Sequence, residues 1–194
     1  MRIVRFAFFV VALAVSPAFA NIIVYSGTLS NAGEGSGSPG TGTATVTIDT
    51  VANTMEVAVS FSGLTSGTTA SHIHCCTATA GSGSAGVATT TPTFPGFPLG
   101  VTSGTYDQTF DLTLASTYNS AFDSGATPAQ KAAALEAGLA AGEAYLNIHT
   151  SAFPGGEIRA FLTAPAPVPE PSSLMLVATG LAGFVGVIRR KLIR

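Results

Sequence analysis

The sequence predicts an all-β fold: an antiparallel Greek-key β-sandwich or barrel with one short Ala-rich helix, flanked by an N-terminal signal peptide and a C-terminal transmembrane segment. Three observations predict it. Between Asn21 and Val168, Gly, Ser and Thr supply 58 of 148 residues; β-branched Thr favours strands, and Gly supplies the positive φ of tight turns. Apolar and polar residues alternate strictly in several short runs, the period-2 signature of a half-buried strand. The long uninterrupted apolar runs stand at the two ends of the 194-residue chain.

Taken in order, residues 1–20 read as a Sec-type signal peptide. Arg2 and Arg5 precede an apolar run from Phe6 to Val15, and Ala18 and Ala20 place small residues at the third and last positions before a cleavage point after Ala20. An uncleaved anchor helix is the alternative, but the run is shorter than the roughly 20 residues of a span and meets Pro17.

A first strand is expected at Ile22 to Leu29. Ala44, Val46 and Ile48 alternate with Thr43, Thr45 and Thr47, and beyond Asn53, Met55, Val57, Val59 and Phe61 alternate with Thr54, Glu56, Ala58 and Ser60. These two runs read as a hairpin with one buried face. Further strands are expected at Thr69 to His74, Thr105 to Leu114, Tyr145 to Thr150 and Glu157 to Thr163. In the second of these Phe110, Leu112 and Leu114 form one face and Asp107, Thr109, Asp111 and Thr113 the other. Seven short strands point to a sandwich or barrel. Thr127-Pro128 reads as an N-cap followed by Pro at the first helical position. It opens an Ala-rich helix over Ala129 to Ala140, with Leu135 and Leu139 on one side and Gly142 near its end, placed to cover an edge or end of the sandwich. Gly33 to Gly42 and Ala80 to Gly104 are loops. In the second, Phe94, Phe97 and Leu99 serve either as a recognition surface or, the favoured reading, to pack the loop onto the body.

The domain 21–164 gives way to a Pro-rich linker, 165–173, and an apolar segment with a basic tail, 174–194. Leu174 to Ile188 carries no charge and is followed by Arg189, Arg190, Lys191 and Arg194. The positive-inside rule keeps that cluster cytoplasmic and places the body of the protein outside. Ahead of it stands Pro169-Glu170-Pro171. A Pro-Glu-Pro triplet, an apolar segment and an Arg-rich end resemble the PEP-CTERM sorting signal of exopolysaccharide-producing Gram-negative bacteria. The resemblance implies an exosortase-type membrane peptidase as partner, recognising and cleaving the tail and releasing the domain to the cell surface or matrix. An ordinary single-span membrane anchor is the alternative. Residues 21–168 hold nine acidic residues against Lys131 and Arg159, a balance that excludes a nucleic-acid binder.

The chain has three histidines, all on two expected strands, His72-Ile73-His74 and Tyr145 to Thr150. Residues two apart on a strand share a face. Ile73, Leu146 and Ile148 claim the core side and leave the imidazoles of His72, His74 and His149 on the other. Two His at i and i+2 with a third from elsewhere make three nitrogen ligands for Cu or Zn; the alternative is a set of ordinary strand histidines bonded to backbone or carboxylates. Ser151 to Gly156 reads as a hairpin turn that returns Glu157 near His149, where it can orient an imidazole or join the ligands. Cys75 and Cys76 form a vicinal disulfide, pair between molecules, or act as soft ligands beside His74; the exported location favours the disulfide. Ser71 faces away from His72, and no P-loop, GxGxxG, Ser-His-Asp or paired-carboxylate motif stands out.

The segments Gly63-Leu64, Ala70-Ser71-His72-Ile73-His74, Ala144 to Thr150 and Phe153-Pro154-Gly155-Gly156-Glu157-Ile158-Arg159-Ala160 resemble the CHRD domain, repeated in the animal protein chordin and found singly in exported bacterial proteins. The resemblance runs from about Tyr25 to Leu162 and implies an extracellular β-rich domain without an agreed activity for its bacterial members. Ala160 stands where Gly is usual, and Cys75-Cys76 follow the His-Ile-His. His-x-His on an antiparallel barrel is also similar in style to the copper/zinc superoxide dismutases, but with three His there is neither a bridging His nor a second metal set. The leading expectation is an exported, non-enzymatic surface or matrix domain with one Cu or Zn site, among exopolysaccharide or matrix partners. A small superoxide dismutase-like copper enzyme and a metal-free structural or adhesive domain are the alternatives.

Overall fold

The computed structural model describes residues 22–165. The expected signal peptide, the Pro-Glu-Pro triplet and the C-terminal segment expected to be transmembrane lie outside the described residues, among which no helix is long and apolar enough to cross a membrane.

Seven strands and one α-helix form among these residues: β1 (Ile22–Leu29), β2 (Thr41–Asp49), β3 (Thr54–Ser62), β4 (Thr68–His74), β5 (Gly104–Asp111), α1 (Pro128–Ala140), β6 (Tyr145–Thr150) and β7 (Ile158–Phe161). The alternating run expected as a hairpin pairs Ile48 with Met55 and Val46 with Val57. Its turn is set by Asp49, whose carboxylate accepts from the N–H of Val51 and Ala52, and by Asn53, at a φ of 54° that Asn tolerates better than most residues. The first sheet runs β1-β2-β3-β5 and the second β4-β6-β7, every ladder being antiparallel. Two isolated antiparallel bridges, Ser26 to Thr163 and Ser30 to Arg159, join β1 to the β7 side.

One apolar cluster serves both sheets. Val46, Ile48, Met55 and Val57 from the first lie in it together with Ile73, Leu146, Ile148 and Ile158 from the second. Each such side chain, fully buried, contributes about 1.5–3 kcal/mol. The helix adds Leu135 and Leu139 to the same cluster. Its N-terminus is closed by a capping box in which Thr127 accepts from the Gln130 N–H and the Gln130 side chain returns to the Thr127 N–H. Gly142, at φ 70°, follows the helix end.

One expectation needs correction. The fifth strand stops at Asp111 rather than Leu114, because the Asp111 carboxylate takes the N–H and hydroxyl of Thr113 and turns the chain. Leu112 remains buried, whereas Leu114 is exposed. In the long loop, Phe94 and Phe97 are buried and pack on Tyr106, so they fasten the loop to the body; Leu99 alone of the three is exposed.

Candidate metal centre

In β4 and β6, Ile73 sits opposite Leu146 and His72 opposite Asn147. The apolar pair faces the core, and the imidazoles occupy the other face, as parity requires. That second face is not open to water. His72, His74 and His149 are 6%, 8% and 9% exposed, because the loop after β4 and the turn before β7 lie over them.

The covering segments also orient the rings. His72 Nε2 meets the Pro92 carbonyl at 2.7 Å, His74 Nδ1 the Ala85 carbonyl at 2.9 Å, and His149 Nδ1 the Pro154 carbonyl at 2.9 Å. A carbonyl oxygen only accepts, so each of these ring nitrogens carries the proton and the other nitrogen of each ring bears a free lone pair. Those remaining nitrogens, His72 Nδ1, His74 Nε2 and His149 Nε2, are buried and have no hydrogen-bond partner among the described residues. One ring nitrogen from each histidine lies within 4.8 Å of the others. A point among them is then no more than about 2.8 Å from each, against about 2.0–2.1 Å for a zinc–nitrogen bond.

Electrostatics keep the trio unprotonated. Burial lowers His74 from 6.5 to about 4, the Ala85 carbonyl opposing and the charges of His149, His72 and Arg159 adding to it. Burial also lowers His72, with a further contribution from His149, and lowers His149 itself, both against their carbonyl bonds. Neutral imidazoles are the form that binds a metal.

A further polar layer flanks the rings, and only part of it was foreseen. Tyr145 stacks on His74 with centroids 4.8 Å apart, and its hydroxyl accepts from the Ala85 N–H at 3.2 Å. The Arg159 guanidinium lies 4.9 Å from the Tyr145 ring centre, pairs with Glu34 at 3.3 Å and donates to the Gly83 carbonyl at 3.0 Å. Asn147 donates to Glu34 at 3.3 Å. The shared parity of Tyr145, Asn147 and His149 carried the signal for two of these; nothing local marked Glu34.

Glu157 departs from expectation. The turn does bring it back, its N–H donating to the Ile148 carbonyl, but the fully buried carboxylate is taken up by the Ser38 and Thr150 hydroxyls and the Thr65 N–H. Burial raises its pKa, and these donors outweigh that and hold it below the ordinary carboxylate value. Backbone carbonyls orient the imidazoles in its place. Cys75 and Cys76 are joined by a disulfide, and with no free cysteine neither offers a thiolate ligand. The Ser71 hydroxyl is buried and donates to the Asn147 carbonyl, leaving it no part in the histidine cluster.

Fold and site together define a class: a two-sheet antiparallel domain with a loop-covered three-histidine pocket on the outer face of its second sheet. The CHRD domain matches residues 25–162, and the chain belongs to that family. The PEP-CTERM protein-sorting motif matches residues 167–191. That motif is a sorting signal recognised by exosortase, and it marks an exported protein sorted to the surface or the membrane. No curated protein and no solved structure matches the chain.

Proposed function

We propose that the domain is a non-enzymatic surface or matrix module that holds a single copper or zinc ion at His72, His74 and His149. The observation that carries this reading is the set of three buried lone pairs left unpartnered while the opposite nitrogen of every ring is bonded to a carbonyl. Leaving such atoms unpaired costs roughly 1–3 kcal/mol each, and a ring fixed through its second nitrogen is the usual arrangement around a metal. Three neutral imidazoles suit both copper and zinc. The low exposure of the rings supports retention of an ion rather than turnover of a substrate. The Pro-Glu-Pro tail supports sorting to the surface or membrane, and exopolysaccharide and other matrix components are the partners we propose for the sorted module.

The test is metal analysis of tag-free full-length protein equilibrated with copper or zinc. The wild type is expected to retain close to one equivalent, and His149→Ala well below that with an unchanged circular dichroism spectrum. Equal retention by the two proteins removes the site.

A further inference from the structure

His74 is followed directly by the disulfide, and the same short stretch of the covering loop serves both. The Ala85 carbonyl accepts from the His74 ring, and the adjacent Gly86 carbonyl accepts from the Cys75 N–H at 3.1 Å. On its other side the disulfide rests on α1. A Cβ placed on Gly138 would overlap both sulfurs, so the helix backbone lies against the bonded pair with no space between. Cys75 is part of the core cluster, while Cys76 is exposed, which leaves one sulfur open to a thiol or disulfide reagent.

We propose that Cys75–Cys76 is a redox gate on the histidine site, so that metal is held tightly only after the disulfide has formed. Two unbonded sulfurs need more room than a bonded pair, and the Gly138 notch has none to give. In the dithiol form either the helix or residues 75–76 must move, and the residue next to them is His74, with its acceptor in the 85–86 stretch. Closure is ordinary thiol–disulfide exchange. A disulfide RS–SR takes two electrons from the cysteines, an S–S bond forms between Cys75 and Cys76, and the two thiol protons leave on two RSH. Such oxidants act outside the cytoplasm, so the gate makes loading an event that follows export. This inference rests on the metal-site reading above.

Zinc is the probe. Full-length protein is measured as purified, and again after reduction by a dithiol that is then removed under anaerobic conditions, each titrated against a competing chelator. A Cys75→Ser/Cys76→Ser double variant supplies the unbonded state without thiolates. The oxidised protein is expected to bind zinc at least tenfold more tightly than either of the others. Equal affinity in the oxidised and reduced wild type overturns the gate, even if the double variant fails to fold. A thiolate-to-cobalt charge-transfer band in the reduced protein loaded with cobalt overturns it too, since the cysteines would then be ligands. Failure of the metal-site reading looks different: the oxidised wild type itself binds no zinc.

Discussion

In β3 of the first sheet Met55, Val57, Val59 and Phe61 are buried while Glu56, Ser60 and Ser62 are exposed; in β6 of the second sheet all six residues from Tyr145 to Thr150 are buried. Both strands alternate apolar with polar side chains. On the first sheet water satisfies the polar face. On the second the loops exclude water, so each polar group there must find a protein partner. Most do, and the cluster that retains several atoms without a hydrogen bond is the histidine pocket with its neighbour Asn147. A polar face earns its interest when it is covered.

That contrast can be tested at three levels. Leu146→Ala, on the core side of β6 and fully buried, is expected to cost about 2–5 kcal/mol in a chemical denaturation curve; a loss below 1 kcal/mol would argue against a shared core. Glu157→Ala strips the acceptor from the buried Ser38 and Thr150 hydroxyls and the part-buried Thr65 N–H and is expected to cost about 1–3 kcal/mol, with Glu157→Gln intermediate. Thr109→Ala, on the exposed face of β5, is expected to stay within about 0.5 kcal/mol.

Acid sharpens the same comparison without a mutation. Unfolded imidazoles titrate near 6.5, whereas burial holds the folded ones lower, His74 at about 4. Below pH 6.5 the unfolded chain therefore binds protons that the folded chain refuses, and stability rises with pH through that window. The contribution is complete above 6.5 and is lost as the pH falls towards 4. Metal-free protein should show a falling denaturation midpoint from pH 7 to pH 5; a flat profile would mean that the rings are not held neutral by burial.

Period-2 alternation was enough to place the β2–β3 hairpin and to put Ile73, Leu146 and Ile148 on one side with the three imidazoles on the other, because face parity is a local property. It was silent on whether β4 and β6 are neighbours, since their pairing joins residues such as His72 and Asn147 that are far apart in the chain. The orienting groups were out of reach for a different reason: the carbonyls of Ala85, Pro92 and Pro154 belong to backbone, which no residue type announces. Glu157 shows the limit of a turn argument. The turn returned its backbone to the expected place, but three donors from other segments decided where the carboxylate points. The overrun of the fifth strand came from reading Asp111 as one more polar step instead of a turn-former.

Strand β6 has a neighbour on each edge, with ladders to β4 and β7, and is covered on both faces. Exchange of its amide hydrogens with solvent therefore requires these layers to separate, whereas an edge strand such as β5 can fray locally. The slowest amides in the domain should accordingly include those around Asn147, so the backbone beneath the histidines opens only when most of the fold does.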